Sequence, residues 1–137
     1  MQQRTLSLVG PGRAGTAIAT ALVARGWRVV GVTGRDPGRA AAAAADLGAV
    51  VAPLEEVAAG AAHLVIATPD AAVADTARRA VVAAAPGTLV LHLAGAHGVE
   101  RFDDARAARP DLRYGALHPL QTLSGPTSTP RLVGAYA

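Results

Sequence analysis

Short apolar runs alternate along the chain with alanine-rich stretches of helical spacing. That alternation is the pattern of βα units wound around a parallel sheet. Thr5-Leu6-Ser7-Leu8-Val9 predicts a first strand and 13–25 a helix, with Gly26 where a helix C-terminal glycine belongs. A valine-rich second strand is expected over 28–33. Asp36 and Pro37 then supply an N-cap and a first-turn proline for a helix that Gly48 ends. A short strand at 49–51, a short helix at 54–59 and a buried strand at 64–67 follow. Asp70, after Pro69, is expected to cap a helix reaching residue 85. Strands at 88–93 and 113–117 flank a helix at 99–108, and 131–133 hints at one more strand. The expectation is an α/β fold: one domain over 1–137, with a doubly wound, mainly parallel sheet of about six to seven strands and helices on both faces.

Composition narrows the function. Of the 137 residues, 51% are hydrophobic and 17% charged, which excludes a disordered chain and permits one solid core. No apolar run is long enough to span a membrane, and the stretch before the first glycine is too short for a secretory signal. With no cysteine, disulfides, thiolate metal sites and a cysteine nucleophile are excluded, and a reducing, cytoplasmic setting is expected. The net charge is +3, but every basic residue is arginine and the arginines are scattered. With aromatics at 3%, that distribution argues against a nucleic-acid surface.

The most specific motif is Gly10-Pro11-Gly12-Arg13-Ala14-Gly15. A GxGxxG alone is weak, but here it leaves a predicted strand and opens a helix inside a βαβ unit. In the Rossmann-type dinucleotide site, Gly10 would permit the tight turn. Gly12 would let a pyrophosphate approach the backbone, and Gly15 would let helix and strand pack closely. The helix N-terminus offers N–H groups to the phosphates, and Arg13 adds a cation. At the end of the second strand, where an NAD site places a carboxylate, the chain has Thr33-Gly34-Arg35. Arg35 suits a 2′-phosphate, so the expected cofactor is NADP; Asp36 is better used as the helix cap.

Five segments in order carry a resemblance: 10–15, Thr33-Gly34-Arg35, Ile66-Ala67-Thr68-Pro69-Asp70, His92-Leu93-Ala94-Gly95-Ala96 and Leu117-His118-Pro119-Leu120-Gln121-Thr122. The chain resembles, over nearly its whole length, Rossmann-like NADP oxidoreductases that continue into a C-terminal helical domain of unknown function. More distantly it resembles 6-phosphogluconate dehydrogenase, pyrroline-5-carboxylate reductase, ketopantoate reductase and prephenate dehydrogenase. The resemblance implies a cofactor domain whose helical substrate and dimerisation domain is absent, since the chain ends at Ala137. It implies that Thr68 and Pro69 line the nicotinamide ribose. It also places Ala94 and Gly95 in a cofactor loop where the group has a serine before the glycine.

His118 is the candidate for proton chemistry: it follows a strand, precedes proline and is similar to the histidine of the prephenate dehydrogenase His-Pro-Met stretch. A structural histidine bonding the loop backbone is the competing reading. His92, inside a strand, is expected to be a satisfied core residue, and His63 and His97 to lie on the surface. The dispersed histidines make no metal spacing, and Ser124 and Ser128 lack a nucleophile-elbow context. The expected function is an NADP(H)-binding domain that serves hydride transfer with a small carbonyl, imine or hydroxy-acid substrate. The expected assembly is a homodimer, without nucleic-acid or membrane partners. A non-catalytic nucleotide-sensing module is the alternative, because this fold hosts many functions.

Overall fold

The computed structural model describes residues 4–94 and 97–117. Its elements, in order, are β1 (Thr5–Val9), α1 (Arg13–Val23), β2 (Arg28–Thr33), α2 (Pro37–Leu47), β3 (Val50–Val51), α3 (Leu54–Ala59), β4 (His63–Ile66), α4 (Val73–Ala80), β5 (Leu89–His92), α5 (Asp103–Ala108) and β6 (Arg113–Ala116). Single 3-10 turns, Asp70–Ala72 and Val99–Phe102, lead into α4 and α5. The six strands are all parallel in the order β3-β2-β1-β4-β5-β6, the Rossmann-type doubly wound order. The further strand expected at 131–133 lies outside the described residues. No helix among the described residues is long and apolar enough to cross a membrane.

Alternation along the strands builds two cores, one on each face. Leu6 and Leu8 of β1, Val29 and Val32 of β2 and Val65 of β4 are buried with Ala19 of α1 and Ala40, Ala43, Ala44 and Leu47 of α2. Val9, Leu64, Ile66 and Val90 are buried on the opposite face with Val57 of α3, Val73, Ala77 and Ala80 of α4, and Phe102. Within the alanine tract at 40–45, Ala40, Ala43 and Ala44 form the packing face, and their small side chains let α2 lie close on the sheet, while Ala41, Ala42 and Ala45 are exposed.

The ends of α2 follow the caps the sequence offers, and those of α4 do not. Asp36 accepts from the Gly38 and Arg39 N–H groups at 2.9 and 3.2 Å, Pro37 opens α2 and Gly48 closes it at φ +68°. Asp70 does not cap α4; it is exposed and accepts no cap bond. Pro69, in extended backbone, starts a 3-10 turn instead, and the Ala72 N–H returns to the Pro69 carbonyl at 2.8 Å. The same helix stops at Ala80 rather than residue 85, and Arg109 donates to the freed carbonyls of Val81 and Ala84. Asp111 fixes that arginine by accepting from Nε and Nη2 at 2.8 and 2.7 Å.

The Arg109 hydrogen bond holds the Asp111 carboxyl below the ordinary value of 3.8. A depressed carboxyl contributes stability that is complete above its unfolded-state value and is lost as pH falls through its folded-state value. Asp111→Asn is therefore expected to lower the melting temperature near neutral pH and to converge with the parent protein in acid. Melting curves across an acid series check this, and a gap of constant size down to the lowest pH would contradict it.

Candidate functional site

The chain moves outward from β1 to β2 and β3, then returns to β4 and moves the other way, so the loops after β1 and β4 diverge. A crevice opens at the carboxyl ends of the strands at such a switch point. There the structure has a cleft of about 850 Å³. Val9, Gly10, Pro11 and Gly12 line it from the β1 loop, and Thr33, Gly34, Arg35, Asp36 and Arg39 from the end of β2 and the start of α2. Ala67, Thr68 and Pro69 contribute from the β4 loop, Pro53, Leu54 and Glu55 from the start of α3, and Ala72, Asp75, Thr76 and Arg79 from the α4 side.

The glycines divide the work by what their missing side chains avoid. Gly10, at φ +88°, would put a Cβ 2.8 Å from the Ala67 carbonyl carbon and oxygen. Gly15 would put one 2.8 Å from Ala67 Cβ and 2.9 Å from the Gly10 oxygen, and Gly34 one 2.6 Å from Pro11 Cδ. These three let the β1, β4 and β2 loops close on one another. Gly12 differs: a Cβ there meets nothing within 4 Å. The space in front of Gly12 is thus free for a ligand atom to reach the backbone. Gly12 is also the N-cap of α1; it offers no side-chain cap, and no acidic residue stands in the first turn. The first-turn N–H groups and the positive end of the helix dipole remain available to an anion.

Two further features fit a bound nucleotide. Thr68 Oγ1 is shielded from solvent and has no hydrogen-bond partner among the described residues, an arrangement that a ligand acceptor or donor would satisfy. Arg35, after β2, and Arg39, in the first turn of α2, are exposed and make no ion pair among the described residues. Asp36, between them, spends its carboxylate on the α2 N-terminus, as expected.

Of the residues singled out in the sequence, Gly10, Pro11, Gly12, Thr33, Gly34, Arg35, Thr68 and Pro69 come together around the cleft. Arg13, Ala14 and Gly15 form the first turn of α1 behind it, with Arg13 exposed and Gly15 buried. Ala94 is buried at the end of β5, while Gly95 and His118 lie outside the described residues. Leu54, Arg39, Thr76 and Arg79 were not singled out. Their signal is weak, because they reach the cleft only after α2, α3 and α4 dock on the sheet.

The histidines divide differently from expectation. His92 is fully buried and satisfied: the Ala94 N–H donates to Nδ1 at 3.0 Å, which leaves Nε2–H to donate to the Gly98 carbonyl at 2.7 Å. It therefore ties both ends of the β5 loop together, with Phe102 edge-on at 5.0 Å. His63 and His97 are half-buried rather than surface residues. His63 Nδ1 donates to the Thr5 carbonyl at 3.0 Å and its ring meets Trp27 edge-on, because its strand lies inside the sheet. His97 Nε2 accepts from Arg101 at 2.7 Å, since an arginine one helical turn on can only donate. No group of three His, Asp or Glu side chains among the described residues could hold a metal ion.

The two glycine classes are separable by experiment. Gly15→Val is expected to cost about 1–3 kcal/mol by overpacking, whereas Gly12→Val should melt close to the parent protein. Chemical denaturation of both variants checks this, and a Gly12→Val as unstable as Gly15→Val would refute the division.

Comparison with solved structures supports the fold. A Bacteroides fragilis protein assigned as an NADP oxidoreductase superposes with a TM-score of 0.77 at 27% identity, covering 89% of this chain and 46% of that one. Mycobacterium tuberculosis 3-hydroxyisobutyrate dehydrogenase superposes at 0.71 with 22% identity, covering 96% and 49%. Synechocystis arogenate dehydrogenase superposes at 0.74 with 17% identity, covering 90% and 44%. The chain spans less than half the length of each. Comparison with curated protein sequences finds no match. A family model described as a Rossmann-like domain matches residues 1–110, and the chain belongs to that family.

Proposed function

We propose that the cleft binds NADP(H) and that the chain is the cofactor domain of an oxidoreductase acting on a small carbonyl, imine or hydroxy acid. The observation that carries this reading is the Gly12 turn, open to solvent and set against an uncapped α1 N-terminus. A pyrophosphate needs both close backbone approach and unspent N–H donors. Arg35 supplies a fork of N–H donors for the 2′-phosphate, and neither Thr33 nor Gly34 opposes it with a carboxylate. Thr68 and Pro69 would face the ribose on the nicotinamide side, with Ala94 and Gly95 beyond them. When bound, the nicotinamide supplies or takes up the hydride.

The protein's own part is positioning. The braced β1, β2 and β4 loops hold the nucleotide end, and His92 holds the β5 loop by its two ends. His118 is the group assigned to a substrate proton. The resemblance to oxidoreductases with a C-terminal helical domain is the ground for a helical domain that would complete the substrate side and for a homodimer built with it. A cytoplasmic setting accords with a chain that lacks cysteine.

The parent protein is expected to bind NADPH more tightly than NADH, and Arg35→Ala to remove about 10–100-fold of that preference. Gly12→Val should abolish binding of both. Nicotinamide fluorescence titration measures each affinity; equal affinity for the two cofactors would sink the NADP assignment, and an unaffected Gly12→Val would move the pyrophosphate elsewhere. Steady-state assays with a panel of small carbonyls then decide between turnover and a non-catalytic nucleotide module.

A further inference from the structure

Three arginines line the cleft from two walls: Arg35 and Arg39 beside β2, and Arg79 on α4. Arginines gathered around one cleft favour an anion there. The carboxylates that line the cleft with them answer that charge only in small part. Asp36 is bonded to the Gly38 and Arg39 N–H groups, and Asp75 is paired with Arg78, which lies outside the cleft, rather than with Arg79. Glu55 stands in the first turn of α3, where the helix dipole already favours a negative charge. None of the three arginines makes an ion pair or side-chain hydrogen bond among the described residues.

Arg79 also points the right way. Ala72, Thr76 and Arg79 recur at helical spacing and all line the cleft. Side chains on a helix lean toward its N-terminus. Because α4 runs back from the carboxyl end of β4, that lean carries the Arg79 guanidinium toward the cleft and away from the opposite end of the sheet.

We propose that Arg79, with Arg39, is a specificity-determining residue for a 2′-phosphorylated adenine ribonucleotide. It grips the 2′-phosphate from the wall opposite Arg35. The inference rests on the dinucleotide reading and deepens it. The α1 N-terminus accounts for one diphosphate, and three arginines free of ion pairs among the described residues stand where a second phosphate would meet them. A phosphate presents three strong acceptor oxygens, enough for guanidinium groups arriving from two sides. Most of the ligand's affinity then resides in its adenylate half, and a nucleotide with no nicotinamide suffices to occupy the site.

Calorimetric titration of the full chain with 2′,5′-ADP and with 5′-ADP tests this. The parent protein is expected to prefer 2′,5′-ADP. Arg79→Gln should weaken 2′,5′-ADP about tenfold while moving 5′-ADP by no more than about twofold, and Arg79→Lys should retain part of the preference. The loss should shrink at high salt. An equal loss for both nucleotides would show that Arg79 only stacks on the base, and no loss for either would remove it from the site; both overturn the proposal. These outcomes leave the dinucleotide reading standing if Gly12→Val still abolishes NADPH binding. A parent protein that binds no adenine nucleotide would overturn both.

Discussion

The close approach of three backbone loops at the sheet's switch point governs the rest of this molecule. Gly10 sits with its Cα facing the Ala67–Thr68 backbone, Gly15 rests on Ala67 and Leu8, and Gly34 lies on the Pro11 ring, each with no room for a methyl group. The Gly10 N–H donates to the Thr33 carbonyl at 2.9 Å and the Ala67 N–H to the Val9 carbonyl at 2.7 Å, so the sheet's hydrogen bonding runs on into the loops. Rigidity here places the α1 N-terminus, and that in turn decides where a phosphate can sit. A single added carbon at Gly10 or Gly15 would open the frame, whereas at Gly12 it would only fill the space the frame encloses.

Electrostatics then gives the cleft two unlike regions. At its centre, charge comes from the backbone: an uncapped helix end with no acidic side chain in the first turn. At its β2 edge, charge comes from long, exposed arginines. The first kind is fixed by the fold and tolerates any residue that leaves the backbone in place. The second can be lost by one substitution without harm to the core. On the proposed reading, recognition of a diphosphate and recognition of a 2′-phosphate would be separable properties, carried by different kinds of group.

Much of this was legible in the sequence because it depends on local rules. The β1 strand, its glycine turn, the Asp36-Pro37 start and the Gly48 end of α2 need only nearest neighbours to specify them, and they stand where the pattern put them. The misreadings came from competition between local options or from tertiary packing. Asp70 had the chemistry of a cap, but the extended backbone at Pro69 already began the turn. Val81 to Ala84 have helical composition, yet Arg109, distant in sequence, takes up carbonyls the helix would have used. His63 looked polar and short enough for the surface, but β4 lies between β1 and β5 and carries it inward. Arg79 and Leu54 carry no motif; only docking of α3 and α4 brings them to the cleft.

His92 shows how a buried polar group can serve a site it does not touch. A neutral imidazole has one donor and one acceptor, and both are used across the β5 loop, on the Gly98 carbonyl and the Ala94 N–H. Phenylalanine would fill much the same volume against Phe102 but would orphan the buried Ala94 N–H, a cost of about 1–3 kcal/mol, and release the exposed Gly98 carbonyl. The imidazole therefore trades some apolar burial for control of a loop at the carboxyl end of the sheet. The cleft lies at that same end. The two ends of that loop, Ala94 and Gly98, are thus held by a side chain of the core.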